Sequence, residues 1–122
     1  MKILIIEDEE VIAKVLERKL SSIGFDIKIA NTGDKGYPTA KEFKPDLILL
    51  DLILPGKTGF QVLEALKTDA ELQLIPVVIL SNLDQEEDVK KALQLGAKDY
   101  LVKAHHPLKE IVEKIKTYLY QK

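Results

Sequence analysis

A chain of 122 residues with 46% hydrophobic and 31% charged side chains can build one domain around one core, and is too short for two. Its net charge of −2 argues against binding a polyanion over a broad surface, and without cysteine it has neither a disulfide framework nor a thiolate metal site. The N-terminus has no secretory pattern and no run reaches the length of a membrane span, which predicts a cytoplasmic protein whose fold starts almost at Met1.

Ile3-Leu4-Ile5-Ile6 is a short apolar run and predicts a buried strand. Four acids follow, Glu7 to Glu10, and then Val11, Ile12, Val15, Leu16, Leu20 and Ile23 recur at helical spacing up to Gly24. Asp8 is positioned to cap this helix, and Glu9 and Glu10 suit its positive N-terminal end. Phe25 to Asn31 alternates apolar and polar residues, the pattern of an edge strand. Thr32 to Lys44 predicts a helix that begins late, with Pro38 in its first turn, because a proline deeper inside would remove a hydrogen bond and clash.

Leu47 to Leu54 is apolar at every position except Asp51, and is bounded by Pro45 and Pro55-Gly56. This predicts a strand buried on both faces, with Asp51 where it ends. A helix over 58–67 follows, then the strand Pro76 to Leu80 ending at Ser81, a helix over 84–95 closed by Gly96, the strand Asp99 to Val102 ending at Lys103, and a last helix entered at Pro107. The alternation βαβαβαβαβα implies parallel pairing. Apolar strands one, three and four belong inside the sheet and mixed strands two and five at its edges. That gives α/β architecture, a flavodoxin-like doubly wound sheet of five parallel strands in the order 2-1-3-4-5 with five helices. Residues 1–122 are expected to form this one domain, with Gln121-Lys122 as a short tail and no output domain.

Parallel strands bring Glu7, Asp8, Asp51, Ser81 and Lys103 to one sheet edge, where ligands bind near the switch point between strands one and three. Each has an ordinary structural role available: cap, turn residue, helix-dipole partner or exposed lysine. Their convergence favours chemistry. Three neighbouring carboxylates repel one another, and a divalent cation removes the conflict; few hard oxygen ligands in a small open site favour Mg2+ over Ca2+. With Lys103 the formal charge is then balanced. A phosphoryl group on Asp51 could be bridged by Mg2+, with Lys103 and the Ser81 hydroxyl contacting its other oxygens, so Asp51 becomes a candidate nucleophile forming an acyl phosphate.

The stretches Ile3–Glu9, Asp46–Gly59, Val77–Ser81 and Gly96–Lys103 together resemble the response regulator receiver domain of two-component signalling, over Met1 to about Leu119. The resemblance implies that Asp51 accepts a phosphoryl group from a phosphohistidine on a sensor histidine kinase or histidine phosphotransfer protein. It implies Mg2+ held by Asp8, Asp51 and the Ile53 backbone carbonyl, with Glu7 acting through a water. Ser81 and Lys103 would contact the phosphoryl group, and Tyr100 would be a switch aromatic that turns inward as the Ser81 hydroxyl moves. A stand-alone receiver would signal through an unknown downstream protein, with no turnover activity of its own beyond its phosphorylation and dephosphorylation.

Three positions depart from the family pattern: Glu7 in place of the commoner Asp, Asn82 in place of a small residue, and Ala104 in place of a cis proline. A cis bond before Ala104 costs about 2.5–4 kcal/mol, so a trans bond is expected there, with Lys103 placed differently. Ile53 and Leu83 border the phosphoryl position and cannot orient an attacking water, which predicts a long-lived phosphorylated state. Lys90, Lys91, Gln94, Tyr100 and Lys109 fall on the surface the family often uses for output, but their residue types favour a plain solvated face. Val11 and Val15 at the rim of the first helix could dock a kinase helix or merely broaden the core contact, and His105-His106 read as an ordinary loop. A receiver-like interaction module that is not phosphorylated is the competing reading. A flavin carrier is disfavoured by the acids at 7–10, and an aspartyl-phosphate phosphatase by Ile53 standing where a second Asp is wanted.

Overall fold

The computed structural model describes residues 1–120; the tail Gln121-Lys122 lies outside them. Five strands, β1 (Lys2–Ile6), β2 (Asp26–Ala30), β3 (Leu47–Leu50), β4 (Val77–Ser81) and β5 (Asp99–Val102), alternate with helices α1 (Glu10–Ser22), α2 (Gly33–Phe43), α3 (Gly59–Thr68), α4 (Glu86–Gln94) and α5 (Leu108–Tyr120). All pairings are parallel and the order is β2-β1-β3-β4-β5, as the burial argument from sequence requires. β1, β3 and β4 are covered on both faces. Leu4, Ile6, Ile48, Leu50, Val77 and Ile79 point toward α2, α3 and α4. Ile3, Ile5, Leu47, Leu49, Val78 and Leu80 point toward α1 and α5. That alternation is the two-residue period of a strand, and each fully buried Leu or Ile stabilises the fold by about 1.5–3 kcal/mol.

Helix ends set where the loops leave the sheet. α1 closes in a Schellman arrangement at Gly24, whose φ of +102° suits glycine: Phe25 N–H donates to the Leu20 carbonyl and Gly24 N–H to that of Ser21. Its start departs from expectation. Glu9, not Asp8, occupies the cap position, and the Glu9 side chain makes no capping hydrogen bond. Asp8 lies one residue earlier, where its carboxylate stays exposed at the sheet edge.

α2 also starts earlier than the proline suggests. Thr32 caps it by accepting from Lys35 N–H at 3.1 Å, and Pro38 sits inside the helix. Tertiary packing outweighs the proline's cost here. A Cβ on Gly36 would stand 3.1 Å from both Ile6 Cδ1 and Val62 Cγ1, so glycine lets the helix lie close against β1 and α3. Pro38 itself is exposed, on the side where water can serve the carbonyl it leaves free.

Candidate functional site

The register delivers the acids to one place. Ile6 pairs with Leu50, so the next residues, Glu7 and Asp51, leave adjacent strands side by side. Asp51 N–H donates to the Ile6 carbonyl at 3.0 Å and Glu7 N–H to that of Ala30 at 3.0 Å, so both backbones are fixed while their side chains turn into the edge. Both residues are buried, as is Ser81 at the end of β4. Lys103 opens a short 3-10 turn (Lys103–His105) directly after β5, one position beyond the Ser81–Val102 pair.

Lys103 lies at the centre of the charges. Its Nζ is 2.6 Å from Glu7 Oε1, 2.9 Å from Asp51 Oδ2 and 3.2 Å from Glu9 Oε1. The Lys103–Ala104 bond is trans, as are all described peptide bonds. The expectation that a trans bond would place the lysine elsewhere fails, because the 3-10 turn aims the side chain back across the edge. The free oxygens of the carboxylates are occupied as well: Asp51 Oδ1 accepts from Ile53 N–H at 3.2 Å and Glu7 Oε2 from Glu9 N–H at 3.1 Å.

One oxygen from each of Glu7, Asp8 and Asp51 lies within 4.8 Å of the others, the one such group of three or more potential metal ligands among the described residues. With Glu9, four carboxylates face one lysine, so the edge carries an excess of acidic groups. Burial pushes the Glu7 carboxyl up to about 7, further than its hydrogen bonds to Lys103 and Glu9 N–H pull it down. At Lys103 burial works against the charge, but the bonds to Glu7 and Asp51 outweigh it and raise the ammonium. The lysine thus stays charged and Glu7 is the group left short of positive charge. An all-oxygen, carboxylate-rich cluster of this kind fits a hard divalent cation.

Ser81 Oγ is turned toward the following loop, within 3.4 Å of Leu83 N–H. Tyr100 is half-buried, with its hydroxyl donating to the Leu83 carbonyl at 2.6 Å. Burial first, then the charges of Asp88, Asp51 and Asp84, push that phenol up to about 12. Leu83 is therefore gripped from both sides, by Ser81 and by Tyr100. Ile53 is exposed beside Asp51, and Asn82 is exposed after Ser81.

Two participants lie outside the sequence pattern. Glu9 suits the helix dipole, yet its carboxylate contacts Lys103; four consecutive acids are the one signal for it. The Leu83 carbonyl, as the acceptor of Tyr100, has no sequence signal at all. Other marked residues stay apart from the site. His106 Nδ1 lies 2.8 Å from Glu110 Oε1. Lys90 pairs with Glu86, Lys91 stands 4.4 Å over the Phe60 ring, and Gln94 and Lys109 are exposed.

A doubly wound parallel sheet with a carboxylate–lysine cluster at the carboxyl ends of β1, β3 and β5 defines the receiver class of α/β domain. The response regulator receiver domain model matches residues 3–116, and the chain belongs to that family. It is 38% identical over 102 residues to protein PilH of Pseudomonas aeruginosa, covering 84% of each chain. It is 35% identical over 118 residues to the DNA-binding response regulator MtrA of Mycobacterium tuberculosis, covering 97% of this chain and 50% of that one. The chain spans about half the length of the regulators of that kind it matches. Among solved structures, the Mn(2+)-bound form of response regulator Rcp1 superposes with a TM-score of 0.86 at 29% identity, over 99% of this chain and 96% of that one. No helix among the described residues is long and apolar enough to cross a membrane.

Proposed function

We propose that this domain is a phosphoacceptor switch in which Asp51 receives a phosphoryl group from a phosphohistidine of a sensor histidine kinase or phosphotransfer protein. The observation that carries this reading is the placement of one buried carboxylate, Asp51, 2.9 Å from Lys103 Nζ and within 4.8 Å of oxygens of Glu7 and Asp8, at the switch point of the sheet.

Asp8, Asp51 and the Ile53 carbonyl would hold Mg2+, with Glu7 acting through a water; the cation would neutralise the equatorial oxygens of the group in transfer. The chain's own residues supply the rest. An Asp51 oxygen attacks phosphorus in line, the P–N bond to the imidazole breaks, and its electron pair leaves with the imidazole. Lys103 is already within contact distance of the carboxylate and follows the transferred charge. The Ser81 hydroxyl exchanges its Leu83 contact for a phosphoryl oxygen. Because Tyr100 donates to the Leu83 carbonyl, that exchange loosens its anchor and changes the surface of α4, β5 and α5 offered to a downstream protein. The domain acts on its own phosphorylation state rather than turning over a substrate. The donor docks across exposed Val11 and Val15, which line the apolar groove between α1 and α5 next to Lys103, and across exposed Ile53.

Incubation with Mg2+ and phosphoramidate or acetyl phosphate, followed by intact mass measurement, tests this. The expected result is a gain of one phosphoryl group that Asp51→Asn abolishes. No gain and no Mg2+ binding would leave an interaction module that is not phosphorylated. Ile53 and Leu83 give an attacking water no polar partner, so the phosphorylated state is expected to persist well beyond seconds in Mg2+ buffer. Its loss within seconds would contradict that.

A further inference from the structure

The stretch from Leu52 to Thr58, which carries Ile53, crosses the start of α2 with no room between the two backbones. Gly33 N–H donates to the Pro55 carbonyl at 3.1 Å. A Cβ on Gly33 would lie 1.7 Å from the Lys57 carbonyl oxygen and 2.6 Å from its carbon, a collision with backbone that no rotamer relieves. Gly33 has no positive φ, so space alone demands glycine there. From the other side, Gly56 has a φ of +77° and a Cβ on it would stand 1.8 Å from Asp34 Oδ2. The stretch is closed at its far end by Gly59, whose N–H donates to the Leu52 carbonyl at 3.0 Å and whose Cβ would meet the Asp51 carbonyl oxygen at 2.3 Å.

None of these residues offers a ligand. What they share is that each fixes the segment between Asp51 and α3. We infer that Gly33 is a positioning residue for the cation site: by seating Pro55 and Lys57 against the first turn of α2, it holds the Ile53 backbone where a divalent cation bound at Asp8 and Asp51 can reach its carbonyl. The inference rests on the proposed reading of Asp51 and adds α2 to the elements that build the site. Linkage makes it reciprocal. If the seated loop binds the cation better than the unseated one, the cation must in turn hold the loop against Gly33.

The reciprocal effect is measurable in the unaltered protein. Amide hydrogen exchange is followed by NMR in metal-free buffer and in saturating Mg2+, with no phosphodonor present. Exchange at Gly33 is expected to slow by about fivefold or more, the lower end of ordinary coupling between sites. The Lys44 amide, bonded to Ala40 at the opposite end of α2, should change much less. Gly33→Ala, checked for folding by the same spectra, is expected to weaken Mg2+ binding by a similar factor. Shifted Asp8 and Asp51 resonances with Gly33 exchange unchanged would overturn this inference and leave the phosphoacceptor reading standing. No Mg2+-dependent shift at Asp8 or Asp51 would overturn both.

Discussion

Lys103 and Lys41 each contact more than one carboxylate, at opposite ends of the fold. Lys103 joins Glu7, Asp51 and Glu9 across β1, β3 and β5. Lys41 joins Asp69 and Glu71, both at 2.8 Å, and Tyr37 donates its hydroxyl to the same Asp69 oxygen, tying α2 to the loop after α3. The chemistry is similar and the surroundings are not. The Lys103 side chain is 9% exposed and those of Glu7 and Asp51 are 2% and 5%, whereas Lys41 is 40% exposed and Glu71 58%, with Asp69 the one nearly buried member at 8%. The acids respond in opposite directions. Burial outweighs the partners at Glu7 and raises its carboxyl to about 7, while the bonds from Lys41 and Tyr37 outweigh burial at Asp69 and hold it well below the usual carboxylate range. A lysine among acids is thus a brace when a second donor serves the buried acid and the other acid meets water. It is an unfinished site when the acids are buried and outnumber it.

The sharpest way to break this contrast is to remove Lys103. In metal-free buffer Lys103→Met leaves Glu7 and Asp51 buried with no cation, and breaking a buried pair in this way costs about 3 kcal/mol or more. Urea unfolding should show that loss. Millimolar Mg2+ should recover much of it, since a cation that binds only the folded chain stabilises by mass action. A loss that Mg2+ does not relieve would mean that the acids cluster without forming a cation site.

The sheet order and the gathering of Glu7, Asp8, Asp51, Ser81 and Lys103 were legible in the sequence because both depend on period. A continuous apolar run must be buried, and the residue after it must sit at an edge. What stayed hidden depends on contacts between elements that local pattern does not encode. Pro38 argued for a late helix start, and close packing at Gly36 overrode it. Asp8 looked like a cap, yet the cap position falls one residue later at Glu9, leaving Asp8 at the edge. Ala104 suggested a displaced lysine, and a trans bond followed by a 3-10 turn placed it at the centre. The Lys41 brace pairs residues about 30 positions apart, and neither Tyr37 nor Asp69 carries any sign of it.

Lys41→Met probes the other half of the contrast. Glu71 stays in water and Asp69 keeps the Tyr37 hydroxyl when it is removed, so the urea midpoint should fall several-fold less than for Lys103→Met. The shift should be indifferent to Mg2+. It should shrink in about 1 M salt, where the screening length is roughly 3 Å. A Lys41→Met loss equal to that of Lys103→Met would remove burial as the distinction between the two clusters.

The smallest effect separates burial from partnership through the tyrosines. Burial is the chief cause that holds the Tyr100 phenol near about 12, whereas Tyr37 is raised first by its bond to Asp69. An unfolded tyrosine ionises near about 10. Above that pH the unfolded chain gives up protons that the folded chain keeps, so the stability these phenols contribute is present below about 10 and is lost as pH rises through their folded values. Asp69→Ala removes the acceptor of Tyr37 and touches nothing around Tyr100. An alkaline ultraviolet titration should then show one more tyrosine ionising early than in the unaltered protein, while Tyr100 and Tyr118, both pushed up to about 12 chiefly by burial, stay late, and Tyr100→Phe should remove one of those two late phenols. If Asp69→Ala left the titration unchanged, Tyr37 would owe its shift to its surroundings, and the brace would differ from the buried cluster in degree only.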